Sequence, residues 1–410
     1  MTTEMKTPSI SAVTRQAVDK CLRQNIPFAL YAAPGSDHYA FMASSPTDEE
    51  YLNDYDSAEG AFEISFFAHS NPAPIVILPR YSAADVLALN DNIQYPGADT
   101  YPAIQSTSAI AYMAQVHELA KATRLMHGKV VLSRIIAGKT QGPTPVDVAM
   151  KYFEGQQDTM RYMFFTQETG LWIGATPELL VSFRPTGTPD GRGRITTMAL
   201  AGTRSHSSGS ADDAWDDKNV AEQQFVSQHI STCLHEAGLD TVETRNSTLR
   251  LKNVEHICSM FTTEGTAEQA LKLREDLDPT PAVGGYPTDT TIEMISYFET
   301  HERLCYAGTI NIRDTSGQGF STYVNLRSML IAPESDGDYR TAIRYNIYVG
   351  GGITASSKPE SEWLETAEKA SLMLDALSCG SNDSNPAITT LYDQINIETQ
   401  EPSFSPSGPF

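Results

Sequence analysis

Apolar residues follow two different spacings along this chain, and the spacings predict a mixture of helices and strands. Three- and four-residue steps predict helices at 10–24, 108–126, 145–154 and 212–236, and a last helix that begins near residue 359. In the first helix, Val13, Ala17 and Cys21 or Leu22 are expected to face inward. Continuous or alternating apolar runs predict strands at 28–32, 62–67, 75–78, 129–136, 163–166, 171–173, 195–201, 254–263, 305–312, 322–331 and 342–349.

The segments between these runs predict the connections. Gly128 is a plausible C-cap for helix 108–126, and the last three strand runs are expected to form an antiparallel meander. The Pro/Gly-rich segment 278–289 is expected on the surface unless it covers a site. After Leu377 the sequence turns polar, and 379–410 is expected to be a disordered tail.

A glycine-rich segment near the end of the chain predicts a binding floor. Strand 342–349 runs into Gly350–Gly352, where missing side chains allow close approach of a ligand to the backbone amides. Ser357 and Glu360 then have capping-box spacing, with Pro359 in the first turn of a helix. Glu365 and Lys369 share one face of that helix.

Three interpretations of this segment compete. Glu365 and Lys369 stand at i and i+4, so a solvated salt bridge accounts for them without any site. Gly350, Gly352 and Ala355 match a dinucleotide-binding pattern, but the helix begins too late for that pattern to apply. A carboxylate-lined metal site is the third interpretation, and it needs partners elsewhere in the chain.

Composition narrows the classes of function. The chain has 410 residues and a net charge of −22, which disfavours nucleic-acid binding and requires local cations or a metal for any anionic substrate. Its five cysteines lack CxxC spacing, so neither a zinc site nor a disulfide framework is indicated. With no leader pattern or membrane-length apolar run, we expect a cytoplasmic protein.

Five polar residues adjoin apolar runs where charge is costly, and each has a structural as well as a functional interpretation. Lys129 is either a strand-end lysine or a desolvated general base, and Glu178 is either exposed or a protonated acid. Glu222, taken alone, resembles a surface residue. His256 resembles a histidine inside a sheet whose ring nitrogens have hydrogen-bond partners. Arg327 interrupts an apolar strand and is expected to pair with a carboxylate.

Taken together, the motifs KVVLSR, GATPELLVS, LAGTR, KNVAEQ, DPTPAVGG, YAG and GGGI followed by ESEWLETAEK resemble the chorismate-utilising enzymes over about residues 105–377. The resemblance implies an α/β (α+β) fold of two large antiparallel sheets packed face to face with helices outside. Residues 1–104 would belong to the same body, and 105–378 would be the catalytic region.

The resemblance also implies roles for individual residues. Glu222 and Glu365 would bind Mg²⁺, with Glu362 ordering a metal-bound water. The carboxylates of chorismate and its ring would be held by Gly202, Thr203, Tyr306, Arg327, Lys369 and the amides of Gly350, Gly351 and Gly352. Lys129 would be the base that activates water at C2, and Glu178 the acid that protonates the departing C4 hydroxyl, giving isochorismate for menaquinone or siderophore synthesis.

Within the resemblance, other outcomes remain open. Ala282 stands where pyruvate-eliminating members have threonine, which favours isochorismate release over salicylate synthesis. Lys129 stands where ammonia-using members have glutamine, and a catalytically silent binding subunit is a further alternative. Asp278, Gln223 and Asn311 depart from the residues usual in the family. A monomer or weak homodimer acting on a small molecule, without a nucleic-acid or membrane partner, is expected.

Overall fold

The computed structural model describes residues 9–45, 59–69, 73–92, 95, 97, 105–188, 190–205, 214–334 and 339–379. Residues 380–410, which make up nearly all of the expected tail, lie outside the described residues. Residues 46–58, which are rich in aspartate and glutamate, also lie outside them.

Sixteen described strands form two antiparallel sheets of eight strands each. The first sheet contains, in spatial order, Gly285–Tyr286 (β12), Lys129–Gln141 (β5), Ala342–Ile353 (β16), Ser328–Pro333 (β15), Gly170–Thr176 (β7), Met160–Thr166 (β6), Phe28–Ala32 (β1) and Ala40–Ala43 (β2). The second contains Glu243–Arg250 (β10), Val254–Thr266 (β11), Arg192–Ser205 (β9), Leu179–Pro185 (β8), Phe320–Val324 (β14), Thr309–Arg313 (β13), Phe62–Ile64 (β3) and Ile75–Ile77 (β4).

Helices cover the sheets. They are Ala12–Gln24 (α1), Ala83–Ala88 (α2), Ala109–Met126 (α3), Pro145–Phe153 (α4), Asp217–Glu236 (α5), Ala267–Asp276 (α6), Thr288–Phe298 (α7) and Pro359–Leu377 (α8). Helix α8 packs on β16 and against α3 and α4, whereas α5 packs on β9 of the second sheet.

The alternation of side chains across the strands divides the core in two. In β6, Tyr162 and Phe164 join a cluster with Phe183 and Phe261 of the second sheet, between the two sheets. The neighbouring Phe165 joins a second cluster beneath α1, α4 and α8. The predicted fold class, two large antiparallel sheets with helices outside, is therefore confirmed.

The predicted meander is wrong. The apolar run 322–331 is two strands in different sheets, because β14 pairs with β8 and β13 whereas β15 pairs with β7 and β16. The chain crosses between the sheets just before β15, at Arg327, whose φ of 50° is left-handed. Both halves are buried, so the apolar pattern gave no sign of the crossing.

Several predicted helix details also differ. Val13 is 46% exposed, whereas Ala17, Cys21 and Leu22 are buried as predicted. Helix α3 is capped by His127, with φ 50°, rather than by Gly128. Helix α8 has no capping box, because Lys358 is its N-cap and the Ser357 hydroxyl accepts a hydrogen bond from the Thr354 amide instead.

Candidate functional site

A cavity is lined by strands of both sheets, and the predicted site residues converge on it. Its lining includes all of those residues except Lys129, Glu362 and Glu365, namely Glu178, Gly202, Thr203, Glu222, Ala282, Tyr306, Arg327, Gly350, Gly351, Gly352 and Lys369. Of the other three, Lys129 pairs with Glu222 and Glu365 with Lys369, both of which line the cavity, and Glu362 pairs with Lys218. Residues that are far apart in sequence thus surround one space.

The three glycines belong to β16 rather than to a loop. They pair with β5 from Gly350–Ser133 to Gly352–Val131, whereas the described ladder with β15 ends at Ser328–Tyr348. A Cβ on Gly352 would overlap a carboxylate oxygen of Glu222, and one on Gly351 would lie 3.2 Å from Oε2 of Glu362. Because Gly351 and Gly352 have no side chains, there is space beside them for the carboxylates of Glu362 and Glu222.

Lys129 and Glu178 both lie deep in the protein. Lys129 begins β5, is 1% exposed, and its Nζ lies 2.9 Å from Oε1 of Glu222 on α5. Burial raises the pKa of Glu178 to about 8, and the charge of Lys129 and a hydrogen bond from Thr280 only partly oppose it. At neutral pH Glu178 is therefore mostly a protonated acid.

Helix α8 contributes two carboxylates that share a lysine which the sequence analysis did not single out. Lys218 Nζ lies 2.8 Å from Oε1 of Glu362 and 3.9 Å from Oε2 of Glu365. Burial and the charge of Glu365 raise the pKa of Glu362 to about 7. Burial alone would also raise the pKa of Glu365, but Lys369 and Lys218 lower it overall.

This acidic cluster has the donor chemistry of a Mg²⁺ site. Among the described residues, no three His, Cys, Asp or Glu side chains are already arranged around a metal position. Glu362 and Glu365 nevertheless lie 2.8 and 3.9 Å from the same Lys218 ammonium, and the charge of Glu222 also acts on it. Hard oxygen donors of this kind suit Mg²⁺.

The carboxylate partner expected for Arg327 is not found among the described residues. Its guanidinium donates a hydrogen bond to Nε2 of His256, and both side chains line the cavity. Nδ1 of the same imidazole lies 3.1 Å from the Gly202 carbonyl oxygen. His256 is on β11 as predicted, but its place in the site depends on a contact across the chain that no local pattern signals.

The segment 278–289 covers the site rather than lying free on the surface. Ala282 and Val283 line the cavity, and Arg303 holds the segment by donating to the carbonyl oxygens of Val283, at 2.8 Å, and Val131, at 2.7 Å. Arg303 also pairs with Glu299 at 2.6 Å. Arg303 was missed because it lies outside the predicted strands and helices.

Two of the residues that depart from the family pattern have hydrogen-bond partners in the structure. Gln223 accepts from the Ala201 amide at 2.8 Å and donates to the Ala199 carbonyl at 3.0 Å. Asn311 donates to Glu63 at 2.7 Å and accepts from Thr322 at 2.8 Å. Both departures are accommodated by buried hydrogen bonds.

In the part of the chain that the structure describes, no helix combines the length and apolar character needed to cross a membrane.

Curated relatives and a solved structure share this sequence pattern and fold. The chain is 31% identical over 261 residues to the salicylate biosynthesis isochorismate synthase of Pseudomonas aeruginosa, covering 61% of this chain and 51% of that protein. It is 28% identical over 260 residues to the isochorismate synthase MenF of Bacillus subtilis, covering 61% and 52%. This chain therefore spans about half the length of these relatives.

The structure of MenF, the menaquinone-specific isochorismate synthase of Escherichia coli, superposes with a TM-score of 0.65 at 21% identity, covering 90% of this chain and 91% of that one. At this identity the likeness concerns the fold. The sequence model described as "Chorismate binding enzyme" matches residues 82–378, which is most of the chain. The chain belongs to the chorismate binding enzyme family.

Proposed function

We propose that this protein is an isochorismate synthase that isomerises chorismate to isochorismate with Mg²⁺. The observation that carries the proposal is a buried Glu178 carboxyl of raised pKa in the cavity wall, together with a buried Lys129 whose partner Glu222 lines the same cavity. The charge of Lys129 acts on the Glu178 carboxyl and partly opposes the rise in its pKa, which supports an acid and a base that act on one small molecule.

The charges around the cavity support a substrate with two carboxylates. The protein carries a net charge of −22, which repels a dianion unless cations line the site. Arg327 and Lys369 supply two cations, and Lys369 is anchored to the Gly350 carbonyl at 2.8 Å. Glu222 and Glu365 would hold Mg²⁺, which would supply further positive charge for a substrate carboxylate.

The proposed chemistry uses one base and one acid. The base is Lys129 after it has given up the ammonium proton that it carries in the ligand-free pair with Glu222; the neutral amine takes a proton from water as the water oxygen bonds to C2 of chorismate. The ring double bonds shift, the C4–O bond breaks, and Glu178 protonates the departing hydroxyl so that it leaves as water. One hydroxyl is gained and one lost, so the product is an isomer and no oxidant or reductant is needed.

The fate of the enolpyruvyl group divides isochorismate synthesis from salicylate synthesis. Ala282 lines the cavity beside Val283, so this wall offers a methyl group and no side-chain hydroxyl to orient that group. We therefore propose that isochorismate is released, for use in menaquinone or siderophore synthesis.

The decisive experiment incubates purified protein with chorismate and MgCl₂ and separates the products by chromatography. Isochorismate is expected, and its loss is expected in Lys129→Ala and in Glu178→Gln. Fluorescent salicylate without a separate lyase would establish salicylate synthase instead. An aminated product with ammonium, or full activity of Lys129→Ala, would refute the assignment of the base.

We further propose a cytoplasmic monomer or weak homodimer. The described cysteines are all free thiols, as expected in a reducing compartment, and four of the five are buried. Sedimentation velocity over a hundredfold range of concentration tests the oligomeric state, and a stable higher oligomer would contradict the proposal.

A further inference from the structure

A β-bulge lies at the edge of the cavity. Strands β9 and β11 pair His256 with Thr203 and Ile257 with Ala201, so Gly202 has no partner across the ladder. Gly202 has a φ of 72°, and a Cβ there would lie 3.0 Å from the Asn219 carbonyl oxygen. The bulge therefore needs glycine, and it turns backbone groups out of the sheet.

Three buried side chains satisfy those backbone groups. The amide of Ala201 donates to Gln223 Oε1 and the amide of Thr203 donates to Asn219 Oδ1, each at 2.8 Å. The Gly202 carbonyl faces His256 Nδ1 at 3.1 Å. Asn219 and Gln223 lie one turn apart on α5, the helix that carries Glu222, so the bulge is fixed to that helix.

The bulge determines which nitrogen of His256 carries the proton. Nδ1 lies 3.1 Å from the Gly202 carbonyl oxygen, which can only accept, and 3.3 Å from the Thr203 hydroxyl, which can also accept, so a hydrogen on Nδ1 suits both contacts. Nε2 then keeps its lone pair and accepts from Arg327. Burial and the charges of Arg327 and Lys369 hold the pKa of His256 well below its usual range, which keeps the imidazole neutral.

Arg327 is fixed at its backbone as well. Its carbonyl accepts from the Tyr152 hydroxyl at 2.8 Å and from the Ala175 amide at 3.3 Å, and its φ of 50° is held by these contacts. The guanidinium is buried. With both ends held, little conformational freedom remains to be lost when an anion binds.

We propose that His256 is a positioning residue, which transmits the position of the Gly202 bulge to the Arg327 guanidinium and aims it at a substrate carboxylate. The inference deepens the proposed function and rests on it for the identity of the ligand. The neutral Nδ1–H tautomer is the working form of His256, because a second proton would remove the acceptor for Arg327.

Three substitutions separate the contact of Nε2 with Arg327 from the contacts of Nδ1. His256→Gln can place an amide oxygen near the position of Nε2 and retain an acceptor for Arg327. His256→Asn retains a donor to Gly202 but leaves Arg327 without an acceptor, and His256→Leu removes both. His235→Gln is the matched control, because His235 is exposed on α5 and pairs with Asp240.

For His256→Asn and His256→Leu we expect the KM for chorismate to rise roughly tenfold or more with a smaller change in kcat, as for a lost charge-assisted hydrogen bond. His256→Gln is expected within about threefold of the unaltered protein. An unchanged KM in the Asn and Leu variants, or equal losses in all three, would overturn the inference. Thermal melts identify any variant that fails to fold.

A second measurement does not depend on turnover. Long-range ¹H–¹⁵N NMR of histidine-labelled protein, without substrate, reports the tautomer of each imidazole, and His256→Gln assigns the signal. A neutral Nδ1–H form is expected, and an Nε2–H form or an imidazolium at pH 7 would overturn the inference. Failure of the isomerase assay with the expected tautomer present would count against the proposed function alone.

Discussion

Lys129 Nζ lies 2.9 Å from Glu222 Oε1, and both side chains are at least nine-tenths buried. The pair joins β5 of the first sheet to α5, which packs on β9 of the second sheet. A proposed base and a proposed metal ligand are therefore charge partners in the ligand-free protein. Removing either partner leaves a buried charge behind.

The first prediction concerns that pair. Lys129→Met is expected to lower the free energy of unfolding by about 3–5 kcal/mol, because Glu222 would keep a buried charge without its ammonium partner. Lys129→Met combined with Glu222→Gln should lose less than the sum of the single variants. Urea denaturation of all four proteins completes the cycle. Additive losses would show that the two charges do not interact.

The second prediction concerns the pH dependence of stability. In the folded protein the pKa of Glu178 is about 8, above the ordinary value of 4.5, so the folded state binds its proton more tightly than the unfolded state does. The stabilising contribution is complete below about pH 4.5 and is lost as the pH rises to about 8. The loss is at most about 1.4 kcal/mol per pH unit.

Glu178→Gln removes this titration and is the reference for measuring it. As the pH rises from 5 to 8, the free energy of unfolding of the unaltered protein should fall relative to that of Glu178→Gln. Activity should also decline above about pH 8, where the acid has lost its proton. A difference that is constant with pH would contradict the buried, protonated state.

The third prediction concerns Mg²⁺. Addition of MgCl₂ without substrate is expected to raise the Tm, because an ion held by the buried carboxylates would bind the folded protein and not the unfolded chain. Glu365→Gln should reduce the shift, whereas Glu360→Gln, an exposed position on the same helix, should leave it unchanged. Differential scanning fluorimetry with CaCl₂ and KCl as salt controls makes the measurement. Equal shifts in both variants would argue against Glu365 as a ligand.

The fourth prediction concerns Gly352. A methyl group there would overlap the Glu222 carboxylate and approach Cε of Lys129 at 2.6 Å, so Gly352→Ala should cost about 1–3 kcal/mol of stability and displace the ion pair. Gly97→Ala is the control, because a Cβ there would lie at an ordinary 3.7 Å from its nearest neighbour. Unaltered stability and activity of Gly352→Ala would show that the strand and its neighbours can move enough to accommodate a methyl group.

The element types and most of the candidate site could be predicted from the sequence. Strand runs with nearly continuous apolar residues indicated burial on both faces, and Lys129, Glu178 and Arg327 stood out because charged residues next to such runs are costly. Lys218, on the predicted helix 212–236, and Arg303, just before the predicted strand 305–312, did not stand out. Their contacts join segments that are distant in sequence.

What the sequence by itself determined were the periods of its helices and strands, the family motifs, and the residue types available for acid, base and carboxylate chemistry. The tertiary structure decided that run 322–331 divides between two sheets, that Arg327 meets His256, and that Lys218 lies beside Glu362 and Glu365. The physical reason is that desolvation and Coulomb energies depend on depth and distance, and local spacing specifies neither.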